Sequence, residues 1–262
     1  MNNSISILGI PFDEYSSSLK GAADGPEKIR EALYSDSTNL CTENIIDLSN
    51  KDYLKDIGDL QITDFLNIEK QVSEILSTKT RLISIGGDHS ITYPIVKAFN
   101  KHYKNLNILH FDAHPDLYEE YQGNPYSHAC PFARIMGEKL TSELFQVGIR
   151  TMNTHQKKQS EKYNTKVFDM KSWQTGTIFN FTGPVYISLD LDVLDPAFAP
   201  GLSHPEPGGF STRELISIIQ NLNCDIVGAD IVELNPKCDT NNLTARVAAK
   251  LLKEIAELML DS

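Results

Sequence analysis

Short, almost unbroken apolar runs alternate along the whole chain with amphipathic segments of helical spacing. No other feature restricts the fold as much. The runs cover residues 4–10, 45–48, 82–85, 106–109, 144–149, 166–168, 185–189 and 225–233. Between them, Pro26 opens a helix with Ile29, Ala32 and Leu33 on one face, and Phe65, Ile68, Val72, Ile75 and Leu76 keep helical spacing. Residues 91–103, 132–136, 153–164 and 243–260 read as further helices, with Pro94 tolerable only in a first turn. Ser211-Thr212-Arg213-Glu214 is a capping box ahead of Leu215, Ile218, Ile219 and Leu222. Strands apolar on both faces, separated by helices, imply one parallel sheet covered on each side. No linker, low-complexity tract or internal repeat interrupts the pattern, so residues 1–262 are expected to form a single domain.

What closes those runs is chemically unusual. Asp88 and His89 follow one, Asp112, His114 and Asp116 another, Asp190 and Asp192 a third, and Asp230 and Glu233 lie in the last. The 110–116 stretch by itself reads equally well as a solvated polar turn. In a parallel sheet, however, all these ends lie on one side, where α/β sheets keep their ligands. His89, Asp112, His114, Asp116, Asp190 and Asp192 supply imidazoles and carboxylates but no thiolate. The set is too anionic for one structural zinc, and favours a pair of harder ions such as Mn(II) with bridging carboxylates. Two such ions clamp and acidify a water.

The formal net charge of -11 and pI near 5.1 argue against nucleic acid or an anionic membrane as partner, and suit a cationic substrate. Cys41, Cys130, Cys224 and Cys238 are scattered, which suggests reduced thiols in a cytoplasm. The opening Met1-Asn2-Asn3-Ser4-Ile5 lacks a basic stretch before an apolar one, so no leader is expected. No apolar run approaches the roughly 20 residues that span a bilayer.

Gly86-Gly87-Asp88-His89-Ser90, Asp112-Ala113-His114-Pro115-Asp116, Ser188-Leu189-Asp190-Leu191-Asp192-Val193-Leu194-Asp195-Pro196 and Asp230-Ile231-Val232-Glu233-Leu234-Asn235-Pro236 resemble, in order, the signature motifs of the ureohydrolases. These are the arginase/agmatinase family of binuclear manganese enzymes. The resemblance runs from Gly9-Ile10-Pro11-Phe12-Asp13 to the terminal helix. It implies a three-layer α/β/α sandwich around a mostly parallel, eight-stranded sheet. It also implies two Mn(II) ions, one held by His89, Asp112, Asp116 and Asp190 and the other by Asp112, His114, Asp190 and Asp192. Asp88 and Asp230 would orient ligands. Glu233 would fix the guanidinium, Asp192 would pass a proton to the departing amine, and His128 matches the family's proton shuttle. Family members are usually trimers or hexamers, so a homo-oligomer is expected.

The substrate expected from this resemblance is a small cationic guanidino compound. Well-known arginases carry an asparagine where this chain has Tyr118, a residue placed here against the substrate. Their following Asp-rich segment is replaced by Arg150-Thr151-Met152-Asn153. Both departures favour agmatine, cleaved to putrescine and urea by an agmatinase of polyamine biosynthesis. Arginase is the alternative, because the 123–128 and 201–209 segments resemble the plant-type arginase branch; other guanidino-acid hydrolases and formimidoylglutamase remain. A deacetylase-like zinc hydrolase would not need Asp116 and Asp192 as well, and a non-catalytic relative would be expected to have lost ligands. His110 reads as a hydrogen-bonded core residue, His102 and His155 as solvated, and Trp173 as packing. His204, on the 196–209 loop, reads equally as site-facing or structural.

Overall fold

The computed structural model describes residues 4–261; Met1, Asn2 and Asn3, on which part of the leader expectation rests, lie outside them, as does Ser262. Eight strands form one sheet: β1 (Ile5–Ile10), β2 (Leu54–Asp59), β3 (Arg81–Gly86), β4 (Asn107–Phe111), β5 (Glu143–Ile149), β6 (Lys166–Asp169), β7 (Val185–Asp190) and β8 (Ile226–Val232). Their order is β2-β1-β3-β8-β7-β4-β5-β6, and every pairing is parallel. The intervening helices are α1 (Gly25–Leu33), α2 (Asn67–Leu76), α3 (Thr92–His102), α4 (Pro131–Gly137), α5 (Thr154–Tyr163), α6 (Thr212–Gln220) and α7 (Leu243–Asp261).

Alternation along each strand sorts the side chains into two cores. Ile5, Ile7, Ile83, Ile85, Leu109, Phe111, Ile187 and Leu189 face α1, α6 and α7, while Leu8, Ile10, Leu82, Ile108, Leu144 and Tyr186 face α2, α3 and α4. The result is the three-layer α/β/α sandwich, with parallel strands buried on both faces as their composition requires. Asn153 and Ser211 cap α5 and α6 through full capping boxes, the second as its sequence foretold.

One strand differs from expectation. Residues 45–48 form no sheet strand; Ile45 has a φ of 67° and is 83% exposed, and the segment makes only an isolated bridge between Cys41 and Asp47. The true β2, Leu54–Asp59, reads Leu-Lys-Asp-Ile-Gly-Asp and is mostly exposed. It is an edge strand, so it needs no continuous apolar run, and charged residues there protect a free edge. Arg30 on α1 secures it, donating to Asp56 at 2.7 Å and to Asp59 at 2.5 Å.

The sheet order has one consequence for chemistry. β3, β8, β7 and β4, the four strands whose ends carry the acidic and imidazole groups, are consecutive neighbours at its centre.

Candidate metal and substrate site

At the end of β3 the backbone passes so close to residue 12 that a Cβ on Gly87 would overlap the Phe12 carbonyl. Gly87 N–H donates to Ile10 O at 3.0 Å and Asp88 N–H to Phe12 O at 2.8 Å. Asp88 then accepts from Ser90 N at 3.0 Å, capping the short turn that carries His89 and leads into α3. Its second oxygen takes Tyr15 N and Ser16 Oγ at 3.1 and 3.2 Å, so it also anchors the 13–18 loop.

His89 is fully buried. Its Nε2 meets Ser188 Oγ at 3.0 Å, and Ser188 donates onward to Asp230 at 2.8 Å; Thr92 and Tyr186 hydroxyls donate to the other Asp230 oxygen. This chain assigns the proton to Nε2 and leaves a lone pair on Nδ1. Among the described residues Nδ1 has no hydrogen-bond partner, yet it lies 3.2, 3.1 and 3.2 Å from oxygens of Asp112, Asp116 and Asp190. A lone pair buried among carboxylate oxygens is unfavourable unless a cation sits between them. That is the observation on which a fit to metal rests.

The second donor group adjoins the first. His114 Nδ1 is 2.8 Å from Asp192 Oδ2 and 3.3 Å from Asp112 Oδ1. One donor atom from each of these three residues lies within 4.8 Å of the others. Asp192 joins the strand ends, accepting Ala113 N–H at 2.8 Å, and its own N–H donates to Asp190 at 2.8 Å. Asp116 sits at a φ of 49°, a strained conformation that aims it inward after Pro115. A His110 donor atom also lies within 4.8 Å of donor atoms of His89 and Asp112, but both its nitrogens are engaged: its ring stacks on Phe132 at 3.9 Å, Nε2 donates to Asp112 at 2.8 Å and Nδ1 accepts from Gln146 at 3.1 Å.

The electrostatics of the bare cluster are those of a proton store. Burial pushes Asp190 well above the carboxylate range, helped by Asp192 and Asp112, and burial with Asp112 pushes Asp192 up to about 7. His89 and His114 move up as well: burial opposes their charge, but the surrounding carboxylates outweigh it. Asp112 goes the other way, since His110 and His114 overcome its burial. Dications therefore have protons to displace. Mn(II) uptake at pH 7 is expected to release protons and to weaken steeply below that pH. Calorimetry in buffers of different ionisation enthalpy measures this, and uptake with no proton release would contradict it.

Beside the cluster, Glu233 adopts a φ of 69°, with its N–H donating to Gly87 O at 2.9 Å. Its Oε1 accepts from His89 N at 2.9 Å and His128 Nδ1 at 2.8 Å. His128 Nε2 meets Ser17 Oγ at 2.8 Å. Burial disfavours a charged His128, but Glu233 prevails and holds it up at about 9. Burial and then Glu233 push Asp88 up to about 7.

A cavity of about 190 Å³ opens here. His114, Asp116, Asp190 and Asp192 line it, with Glu233, His128 and Ser17, whereas His89 and Asp112 are fully buried and outside the lining. The lining continues through Tyr118, Tyr121, Thr151, Gln156, Leu202 and His204, so His204 is site-facing. Tyr118 accepts from Asn153 Nδ2 at 2.5 Å and stacks on His155. His102 is exposed and bonded to Ser73, and Trp173 packs on Phe179 and Phe210.

Sequence reasoning missed Ser17, Thr151, Gln156 and Leu202 as lining residues, and missed the work of Arg150. The Arg150 guanidinium donates to backbone carbonyls of Asp192 at 2.6 Å, Glu206 at 2.5 Å and Pro207 at 3.2 Å, among others. It ties the 196–209 loop to the segment bearing Asp192. Only the length of that proline- and glycine-rich loop, too great for a mere connector, hinted at such an anchor. Arg150→Ala is expected to cost about 2–3 kcal/mol, as charge-assisted hydrogen bonds do. Arg150→Lys should not restore it, because an ammonium cannot span the same carbonyls. Thermal unfolding of both variants checks this.

The sequence profile of the Arginase family matches residues 3–257. Arginase 1, mitochondrial, of Arabidopsis thaliana is 40% identical over 97% of this chain and 80% of its own length. Agmatinase of Neisseria meningitidis is 35% identical over 96% of this chain and 86% of its own. Among solved structures, the arginase from Medicago truncatula superposes with a TM-score of 0.90 at 39% identity, covering 98% of this chain and 87% of that one.

Proposed function

The chain belongs to the arginase family, and from that premise we propose that it hydrolyses the guanidino group of arginine to urea and ornithine over two Mn(II) ions. The observation that carries the reaction class is the Glu233 carboxylate, held by His89 N and His128 Nδ1 on one oxygen beside a floor of buried carboxylates. The donor set fits the family's metals: His89, Asp112, Asp116 and Asp190 would hold one ion, and Asp112, His114, Asp190 and Asp192 the other. When bound, the pair neutralises the aspartates and acidifies a water at neutral pH.

The remaining work belongs to side chains. Both hydrogen bonds to Glu233 fall on Oε1, which leaves Oε2 for the planar guanidinium. Asp192, which lines the cavity, takes the proton shed by the attacking water and returns it to the departing amine. His128 holds a proton at Nδ1 against Glu233 and reaches Ser17 through Nε2, a route for exchange with solvent. Asp230 acts through Ser188 to fix the His89 ring, and Asp88 acts through the 13–18 loop that carries Ser17.

Support for arginine comes from the plant arginases at 40% identity, and from the outer lining, where Tyr118, Thr151 and Gln156 offer neutral hydrogen-bonding groups. The lining carboxylates Asp116, Asp190, Asp192 and Glu233 lie within the proposed metal and guanidinium set, so the carboxylate that distinguishes arginine from agmatine meets no unassigned anion in the lining. Agmatine is the second reading, favoured by Tyr118 and the Arg150–Asn153 segment. Manganese-loaded protein offered arginine, agmatine and guanidinobutyrate in parallel, with urea measured, decides. Arginine should exceed agmatine at least about tenfold in kcat/KM, a difference of ~1.4 kcal/mol; the reverse order establishes the second reading.

We further propose that residues 1–262 work as one unit, as a homo-oligomer, in a reducing, cytoplasm-like compartment. Cys41, Cys130, Cys224 and Cys238 are free thiols, and no helix of the described residues is long and apolar enough to cross a membrane.

A further inference from the structure

Beyond the donors assigned to the manganese pair, a separate group of ligating atoms faces the same cavity. His128 precedes α4, His204 lies on the 196–209 loop, and Glu233 closes β8. One donor atom from each lies within 4.8 Å of the others. The two imidazole rings are 5.0 Å apart and tilted at 49°. Among the described residues His204 Nδ1 is buried with no hydrogen-bond partner, although His204 lines the cavity. Glu233 keeps Oε2 free of the two hydrogen bonds it accepts on Oε1.

Two imidazoles and one carboxylate are the donor set of open zinc sites, which leave a fourth position vacant. The floor beside it offers each ion one imidazole and several carboxylates, a harder environment suited to manganese. Nitrogen-rich sites prefer zinc to manganese. The chain therefore presents two chemically distinct metal environments in one cavity.

We infer that His128, His204 and Glu233 form a third metal site, which takes a single Zn(II) ion in the place where the guanidinium binds. Binding displaces the proton shared by His128 Nδ1 and Glu233 Oε1. Zinc and substrate consequently exclude each other, and zinc is a reversible inhibitor. The exclusion rests on Glu233 as guanidinium seat; the metal site itself does not.

The test uses the full chain preloaded with Mn(II), titrated with zinc chloride and desalted, with both metals counted. One equivalent of zinc is expected with manganese retained, and zinc-edge absorption should show two imidazole ligands. Loss of an outer partner alone costs a metal site about 10–100-fold in affinity, so His204→Ala and His204→Gln should weaken zinc about 100-fold or more while keeping their manganese. Zinc gained one-for-one with manganese lost, or zinc affinity unchanged in both variants, overturns the site. Zinc inhibition should be competitive with the guanidino substrate; a pattern independent of substrate overturns the shared seat. If no guanidino compound is turned over, the proposed function fails, and metal counting still decides the zinc site.

Discussion

Glu233→Gln lowers kcat/KM for the guanidino substrate by about 100-fold or more and leaves the manganese content unchanged. The substitution keeps the side chain's size, and glutamine tolerates the φ of 69° as glutamate does, so the backbone is not newly strained. Among the described lining residues, it removes the one buried carboxylate that is not assigned to the manganese pair. Removing one member of a desolvated charge pair costs ~2–5 kcal/mol, much of it from the partner left unpaired. Here two partners lose: the substrate's guanidinium and His128. The imidazole of His128, held up at about 9 by Glu233, must move down once burial acts with less opposition. Steady-state kinetics, metal analysis and a histidine titration of the metal-free variant by NMR check the parts separately. Activity within about threefold of the parent, with His128 unmoved, would sink the assignment.

Asp190→Asn has opposite effects on the loaded and the metal-free protein. Asp190 is 4% exposed, and burial together with Asp192 and Asp112 raises its protonation range well above that of a free carboxylate. A raised carboxyl group binds more protons folded than unfolded, so its contribution to stability declines as pH climbs from about 4 towards the raised value. Asp192, raised to about 7, adds to the same decline between about pH 4 and 7. His89 and His114, also raised, lose their contribution as pH rises above the ordinary imidazole range. The metal-free parent thus weakens with rising pH, and asparagine at 190 removes part of the cause. Its metal-free melting temperature should rise at pH 7.5. With manganese at about 1,000 times its Kd the parent gains ~4 kcal/mol, or roughly 8–16 °C for a chain of this size. The variant should lose most of that gain together with about a hundredfold or more in turnover, since loss of an outer partner alone costs about 10–100-fold. Calorimetric scans with and without manganese decide; an undiminished gain in the variant would show that Asp190 does not hold metal.

Which parts were readable in advance follows a physical divide. β3, β4, β7 and β8 were visible because a strand covered on both faces must be apolar throughout. β2 was hidden because an edge strand is half solvated, and the run at 45–48 imitated it without pairing. The cap of α6 was legible because it is completed within four consecutive residues. His110, inside an apolar run, reads as a hydrogen-bonded core residue, and the structure sets it on Asp112 and Phe132.

By itself the sequence determined the layered parallel architecture and the kinds of group that end its strands, since burial period and residue chemistry are local properties. Tertiary structure alone decided that β3, β8, β7 and β4 are neighbours, which brings His89 to Asp112, Asp116 and Asp190. It likewise decided that Ser17, His128, His204 and Glu233 share a cavity and that Arg150 anchors a distant loop. Strand order and loop docking depend on packing energies summed over the whole chain, and no window of local sequence carries that sum.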